Sequence, residues 1–248
     1  MLEISGATDR GLCREVNEDR FAGEVFRDNL GYAVVCDGMG GVTGGGLASG
    51  VASEEVRRLV ESSLRPRMDE RARQLLLDSA VQNANYMVLE KAKQAGPEYQ
   101  GMGTTLCLAL FHEEGVTVAN VGDSRCYLLR EDELYRLTSD HTVVQRMVEA
   151  GELSEEAAAS HPKRHLITKA VGVEPELLAD YSACTLHAGD ILLLCTDGLY
   201  NMIPEKELPE LIRKAALESD VSCLIEAANA AGGEDNITAV VVHNRWEE

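Results

Sequence analysis

The chain has 248 residues, of which 45% are hydrophobic and 26% are charged, and it contains 22 glycines. This size and composition allow a substantial core in one domain and argue against a disordered or fibrous chain. The formal net charge of −19 argues against nucleic-acid binding, which depends on Lys and Arg, and against contact with anionic membranes.

Seven cysteines occur singly, at positions 13, 36, 107, 126, 184, 195 and 223, with no CxxC pair. This pattern favours buried free thiols in a reducing compartment over disulfides or a zinc site. The first residues lack the basic and apolar regions of a secretory signal. No apolar run approaches the ~20 residues of a membrane span. We therefore expect a cytoplasmic protein that binds neither membrane nor nucleic acid.

The first half of the chain predicts strands followed by two helices. Residues 1–43 are typical of short strands and turns, with a buried strand at "GYAVVC" (31–36). Apolar residues at helical spacing predict one helix over about 47–64 and a longer one over 71–95, which ends before Gly96-Pro97.

The second half returns to strands over about 104–137, where "HEEG" and "REDE" are typical of hairpin turns. A helix is predicted over 142–159, ending at "SHPKRH". A strand follows at "DILLLCTDG", then two short helices over 205–231 and a closing strand at "NITAVVVHN". Regular alternation of strand and helix is missing. We therefore expect a mainly antiparallel sheet system with helices packed outside, in a single domain over 1–248.

Acidic residues recur where apolar segments end or begin, namely at Asp37, Asp123, Asp197 and Asp235. A strand buried on both faces stays apolar until it leaves the core, so an Asp at its end lies at the rim of the sheet. Carboxylates that converge there need a counter-cation, and Mg²⁺ or Mn²⁺ prefers oxygen ligands. One Asp-Gly alone fits an ordinary turn, but the repeated pattern favours a metal site.

Other chemical motifs receive no support. The glycine-rich "GMGGVTGGG" matches neither a G-x-x-x-x-G-K-[ST] phosphate loop nor a G-x-G-x-x-G fingerprint, and no G-x-S-x-G segment is present. His161 and His165 are four residues apart, but Pro162 between them favours a surface turn over a metal pair.

Seven short segments occur in a fixed order along nearly the whole chain: "REVNEDR", "DGMGG", "GMGTT", "VGDSR", "SDHT", "TDGL" and "GGEDNIT". Together they resemble the metal-dependent type 2C serine/threonine protein phosphatases (the PPM family), and most of all the compact bacterial branch. The resemblance implies an α+β fold, in which a central antiparallel β-sandwich is flanked by α-helices in α-β-β-α layers. It also implies a flap beside the active site at about 139–172.

The resemblance assigns two metals, Mn²⁺ or Mg²⁺, to residues at the strand ends. Asp37 would bridge the two ions, the Gly38 carbonyl would bind one of them, and Asp197 and Asp235 would ligate the other. Asp123, with Asp197, would form a weaker third site.

Further residues would support the metals and the substrate. Arg14 would hold the substrate phosphate, because its planar fork suits phosphate oxygens better than a lysine. Glu18 and Asp19 would hold metal-bound waters. Asn17 and Asn236 are expected to orient neighbouring acids rather than to touch substrate.

The reaction implied is hydrolysis of phosphoserine and phosphothreonine in proteins by direct attack of a metal-activated water. The partners would be phosphoproteins and the bacterial serine/threonine kinase that the enzyme opposes. Two alternatives stay open: a weakly active or inactive metal-binding docking module, and a phosphatase of small phosphorylated metabolites.

The chain departs from the family at three positions. Val42 and Gly46 replace the histidine and glutamate that follow "DGMGG" in bacterial members, and Met39 stands where eukaryotic members carry a histidine proposed as general acid. The resemblance therefore names no general acid, which favours phosphothreonine or an activated aryl phosphate as substrate.

Overall fold

The computed structural model describes residues 1–26 and 29–245, except for the side chains of residues 41–43 and 159. The predicted position Val42 therefore lies outside the described side chains. The strands are β1 (Leu2–Asp9), β2 (Arg20–Val25), β3 (Gly31–Cys36), β4 (Gly38–Met39), β5 (Gly103–Thr104), β6 (Leu106–His112), β7 (Gly115–Val121), β8 (Arg125–Arg130), β9 (Glu133–Arg136), β10 (Asp180–Cys184), β11 (Ile191–Cys195) and β12 (Ile237–Asn244).

The helices are α1 (Gly41–Ser63), α2 (Glu70–Ala95), α3 (Val143–Glu149), α4 (Glu155–Ala159), α5 (Asp197–Tyr200), α6 (Leu208–Glu218) and α7 (Ser222–Ala230). Short 3₁₀ helices cover Pro97–Tyr99 and Glu205–Glu207. No described helix is both long and apolar enough to cross a membrane.

Two five-stranded antiparallel sheets form the centre of the fold. One has the order β1-β12-β11-β8-β9, the other has the order β10-β7-β6-β3-β2, and β4 pairs with β5 in a small separate ladder. Helices α1 and α2 pack on the second sheet, and α6 and α7 pack on the first. The expected α+β fold with α-β-β-α layers is confirmed.

The central strands are apolar throughout because both of their faces are buried. In β3, Tyr32 and Val34 face the helices, whereas Ala33 and Val35 pack between the two sheets. Burying each such side chain contributes roughly 1–3 kcal/mol. An acidic residue is therefore tolerated only beyond the strand end, where Asp37 stands.

Strand register gathers the strand ends at one edge. In the first sheet, Cys195 pairs with both Arg125 and Ala239, which aligns the end of β11 with the starts of β8 and β12. In the second sheet, Cys36 pairs with Arg20, and Leu106 pairs with Val121. Four distant parts of the chain thus meet at this edge.

Two helix predictions need correction. Helix α1 begins at Gly41 rather than near residue 47, so the glycine-rich segment is helical although glycine disfavours helix by about 1 kcal/mol per residue. The helix predicted over 142–159 is two helices separated at Gly151, whose φ of 74° is left-handed and ends the first of them. Ser154 then caps α4 by accepting a hydrogen bond from the Ala157 N–H.

Candidate active site

Asp37 lies between β3 and β4, and its backbone is held by neighbouring hydroxyls. Its N–H donates to Thr105 Oγ1 (2.8 Å), and its carbonyl accepts from Thr104 Oγ1 (2.8 Å) and from the Thr105 N–H (2.9 Å). Thr105 Oγ1 also bonds Ser124 Oγ (2.7 Å). Segments "GMGTT" and "VGDSR" therefore fix the main chain on which the Asp37 carboxylate stands.

Gly38 follows Asp37 where two backbones come into close contact. A Cβ on Gly38 would lie 2.2 Å from the Gly45 carbonyl oxygen, and a Cβ on Gly45 would lie 2.6 Å from the Gly38 carbonyl carbon and oxygen. The first turns of α1 can therefore cross the Asp37–Gly38 segment only if both residues are glycine. Gly46 differs, because the nearest atom to its Cβ would be 3.8 Å away, and its N–H donates to Glu18 Oε1 (3.1 Å).

Asp19 is fully buried beneath the site. Its Oδ2 accepts hydrogen bonds from Thr196 Oγ1 and Thr238 Oγ1, both at 2.7 Å. Its Oδ1 is buried and has no hydrogen-bond partner among the described residues. A buried acceptor of this kind costs about 1–3 kcal/mol unless a donor or a cation meets it.

The two asparagines hold the loop between β1 and β2. Asn236 Oδ1 accepts from the Glu18 N–H (2.8 Å), and its Nδ2 donates to the carbonyls of Arg10 and Val16 (2.9 Å each). Asn17 Oδ1 accepts from the Asp19 N–H (3.0 Å). The Asn236 contact sets Glu18 beside the start of β12, and the Asn17 contact holds Asp19 within the loop.

Asp197 is the first residue of the short helix α5, and Asp235 precedes β12. Arg14 Nη2 donates to Asp235 Oδ2 (2.7 Å), and the Arg14 side chain is 55% exposed. The arginine of the loop after β1 therefore already lies beside the acids.

His165, for which the sequence favours a surface turn over a metal role, lies beside a predicted metal ligand. It is the last residue of a turn at residues 162–165, and its Nδ1 lies 3.9 Å from Asp197 Oδ2. The segment between α4 and β10 thus reaches the same acids, although no feature of "HPKRH" alone indicates that contact.

Burial and mutual repulsion raise the pKa values of the acids. Burial, and then the charge of Asp19, raises the pKa of Asp37 well above its usual range. Burial raises the pKa of Asp123 to about 7 and that of Asp197 to about 6, with further contributions from neighbouring carboxylates. Burial likewise raises the pKa of Asp19 to about 7. Carboxylates crowded in this way favour either bound protons or a cation.

The donor set fits hard divalent cations. Oδ1 of Asp197, like Oδ1 of Asp19, is buried without a hydrogen-bond partner in the described part of the chain, and after burial and Asp19 the charge of Asp197 helps to raise the pKa of Asp37. Two ionised carboxylates repel each other, whereas Mg²⁺ or Mn²⁺ binds oxygen atoms from both.

The expected ligands are not, however, gathered around one point. Within residues 1–26 and 29–245, no group of three or more His, Cys, Asp or Glu side chains is arranged to hold a metal ion. Asp235 instead accepts from Arg14 and from the Asn236 N–H. Because Mg²⁺ usually binds through one or two carboxylates and keeps several waters, this arrangement still fits the ions.

A cavity of about 670 Å³ opens beside the acids. Asp123, Asp197 and Asp235 line one side, and residues of the 142–165 segment, among them Arg164 and His165, line another. The predicted flap therefore borders the cavity that adjoins the predicted metal ligands.

Comparison with known proteins identifies the family. The protein phosphatase 2C family model matches residues 13–239. The chain belongs to the protein phosphatase 2C family. The predicted membership of this family, and the prediction of a phosphatase, are confirmed.

Relatives cover the chain almost completely. It is 39% identical over 240 residues to a serine/threonine phosphatase stp of Listeria innocua, which covers 95% of this chain and 93% of the relative. The structure of the serine/threonine phosphatase Stp1 from Staphylococcus aureus is similar, with a TM-score of 0.89, 32% identity, and coverage of 100% of this chain and 96% of that one.

A third comparison bears on cofactors. The catalytic domain of the serine/threonine protein phosphatase PstP, solved with two manganese ions, matches with a TM-score of 0.84 and 32% identity over 98% of this chain and 97% of that one. Membership of the family and this likeness support divalent metals as cofactors.

Several residues that hold this site carry no signal of their own in the sequence. Thr104 and Thr105 lie within "GMGTT", and Thr196 within "TDGL", but threonines are common at strand ends. Their role emerges only when register brings them against Asp37 and Asp19.

Proposed function

We propose that this chain hydrolyses phosphoserine and phosphothreonine in proteins, at a centre of two Mn²⁺ or Mg²⁺ ions. The observation that carries the proposal is that buried acids at one edge of the sandwich raise one another's pKa values. Asp37, Asp197, Asp235 and the Gly38 carbonyl would hold the two ions, and Asp123 with Asp197 would hold a weaker third. When bound, such ions supply an acidified water at neutral pH and offset charge on the phosphoryl group.

The protein's own groups orient the substrate and the water. Arg14 is exposed and within reach of the acids, so its guanidinium is placed to grip two phosphate oxygens as a fork. Glu18 and Asp19 would accept hydrogen bonds from water held at the metals, with Asp19 Oδ1 buried and free of a partner among the described residues. Asn236 keeps Glu18 in place beside β12, because its side-chain Oδ1 accepts a hydrogen bond from the Glu18 backbone N–H.

The cavity supports a protein segment as substrate. Its volume of about 670 Å³ exceeds what one phosphorylated side chain fills, so the part that is lined by residues of the 142–165 segment leaves room for flanking residues. We propose that residues 139–172 form the flap of a single domain over 1–248, and that the flap contacts those flanking residues.

The cysteines and the similar proteins bear on the cellular compartment and the substrates. Four cysteines of the central strands, Cys36, Cys107, Cys126 and Cys195, are buried free thiols, which suits a reducing cytoplasm. We propose that the substrates are the targets of a bacterial serine/threonine kinase, because the similar proteins are bacterial proteins named serine/threonine phosphatases.

The test is phosphate release from a phosphothreonine peptide with Mn²⁺ and then with excess EDTA. We expect turnover that EDTA abolishes, and at least a hundredfold loss of kcat in Asp37→Asn. Asp132→Asn, a change of equal charge at a side chain that is 95% exposed, serves as the control and should retain full activity. Equal kcat/KM for the peptide and for a free phosphosugar would contradict the substrate class, and full activity of Asp37→Asn would contradict the site.

A further inference from the structure

Arg125 is a largely buried cation, with a side chain 18% exposed, outside the proposed catalytic set. Its Nε donates to Asp140 Oδ1 (3.0 Å) and its Nη2 to Asp140 Oδ2 (2.6 Å), which forms a two-pronged ion pair. Nη1 donates to the Tyr127 hydroxyl (2.9 Å). The guanidinium carbon lies 3.6 Å from the centre of the Tyr200 ring. Partners thus contact both the edge and the face of the Arg125 guanidinium, and together they hold it in place.

Tyr200 connects this arginine to two predicted metal ligands. It is the last residue of the helix α5 that begins with Asp197, and its hydroxyl donates to the backbone carbonyl of Asp123 (2.9 Å). One side chain thus links the element that carries Asp197 to the backbone of Asp123.

His141, at the base of the predicted flap, holds Gly122, the residue before Asp123. The His141 N–H donates to the Gly122 carbonyl (2.9 Å), and the Gly122 N–H donates to His141 Nδ1 (3.1 Å). Asp140, the partner of Arg125, immediately precedes His141. The next residue, Thr142, forms a β-bridge to Ile167 that closes the base of the 143–166 segment.

We infer that Arg125 and Tyr200 are positioning residues that fix Asp123 relative to Asp197 and couple both acids to the base of the flap. The inference rests on the proposed function, because it takes Asp123 and Asp197 as ligands of the weaker metal. Neither positioning residue touches the substrate.

The expected effects follow from the geometry. Tyr200→Phe removes the bond to the Asp123 carbonyl but keeps the ring beneath Arg125. Arg125→Lys keeps the buried charge but loses the fork and the planar stacking. Loss of a group that orients a metal ligand typically costs 10- to 100-fold in metal affinity or activity. We therefore expect each variant to weaken the weakest Mn²⁺ binding event by about tenfold.

Matched controls are present in the same protein. Arg130 lies at the other end of β8 and forms an equivalent two-pronged pair with Asp190 (3.0 and 2.6 Å), so Arg130→Lys removes the same kind of bond far from the acids. The Tyr181 hydroxyl donates to Asp78 (3.1 Å), so Tyr181→Phe controls for the loss of a phenol.

The experiment is calorimetric titration of the whole chain with Mn²⁺, together with kcat and KM on a phosphothreonine peptide and the melting temperature. We expect Tyr200→Phe and Arg125→Lys to weaken the last Mn²⁺ binding event and lower kcat, with KM changed less than twofold and the control variants unaffected. Wild-type Mn²⁺ binding and kcat in Tyr200→Phe would overturn the inference, even if Arg125→Lys does not fold. If the wild-type chain binds no Mn²⁺, or Asp197→Asn keeps full activity, the proposed function itself fails, and the inference fails with it.

Discussion

Replacement by alanine is expected to have opposite effects on stability at two neighbouring glycines of α1, Gly45 and Gly46. In Gly45→Ala, the new Cβ would lie 2.6 Å from the Gly38 carbonyl carbon and oxygen and 2.7 Å from Glu18 Oε1. Ordinary contact begins at 3.4 Å, and since 3.4 − 2.6 = 0.8, the backbone must move by about 0.8 Å. Overpacking of this kind costs ~1–3 kcal/mol, offset by ~0.5–1 kcal/mol from replacing a helical glycine with alanine.

The net expectation for Gly45→Ala is a loss of up to about 2.5 kcal/mol, which lowers the melting temperature by up to several degrees at ~2–4 °C per kcal/mol. Because the displaced atoms include the Gly38 carbonyl, we also expect phosphatase activity to fall at least tenfold. Gly46→Ala meets no atom closer than 3.8 Å, so it should gain ~0.5–1 kcal/mol. Calorimetric melting and peptide dephosphorylation measure both effects. Equal stability and activity in the two variants would refute the close-contact argument.

Three further changes test separate parts of the site. Thr105→Val leaves the Asp37 N–H without its partner and should destabilise the protein by ~1–3 kcal/mol in urea unfolding; unchanged stability would contradict the assigned bond. Arg14→Lys should lower kcat/KM on a phosphothreonine peptide about tenfold or more, since hydrogen bonds to charged groups contribute ~1.5–3 kcal/mol, while the melting temperature stays constant; a loss confined to stability would contradict phosphate binding. In EDTA, stability should fall as pH rises from 4 to 7, because Asp19, with its pKa raised to about 7, holds a proton in the folded chain that the unfolded chain has already lost. Melting curves that rise with pH over that range would contradict this sign.

The layers of the fold and the positions of the acids are largely readable from the sequence. Strands buried on both faces leave uninterrupted apolar runs, as in 31–36 and 191–195, and the acids mark where those runs leave the core. The hairpins also match, since β6 joins β7 at "HEEG" and β8 joins β9 at "REDE".

The start of α1 could not be predicted, because local propensity opposes it. "GVTGGG" disfavours helix residue by residue, but the Gly38–Gly45 contact requires glycines in the helix at that crossing. Tertiary packing thus overrides propensity here.

The bonds that position the acids could not be predicted either, because they join residues far apart in sequence. Thr238 reaches Asp19 across 219 residues, and Tyr200 reaches Asp123 across 77. Single hydroxyls and phenols carry no periodic pattern, so only the strand register reveals these partners. The same holds for the contact between His165 and Asp197.

The proposed metal centre can be tested directly by a crystal structure with Mn²⁺ and its anomalous difference map at the manganese edge. We expect two strong peaks beside the Asp37 carboxylate, with Asp197 and Asp235 as ligands of one of them and the Gly38 carbonyl as a ligand of the other. We also expect Asp235 to exchange its bond to Arg14 for the ion. Manganese bound elsewhere, with Asp37 free of metal and Arg14 still paired with Asp235, would contradict the proposed centre.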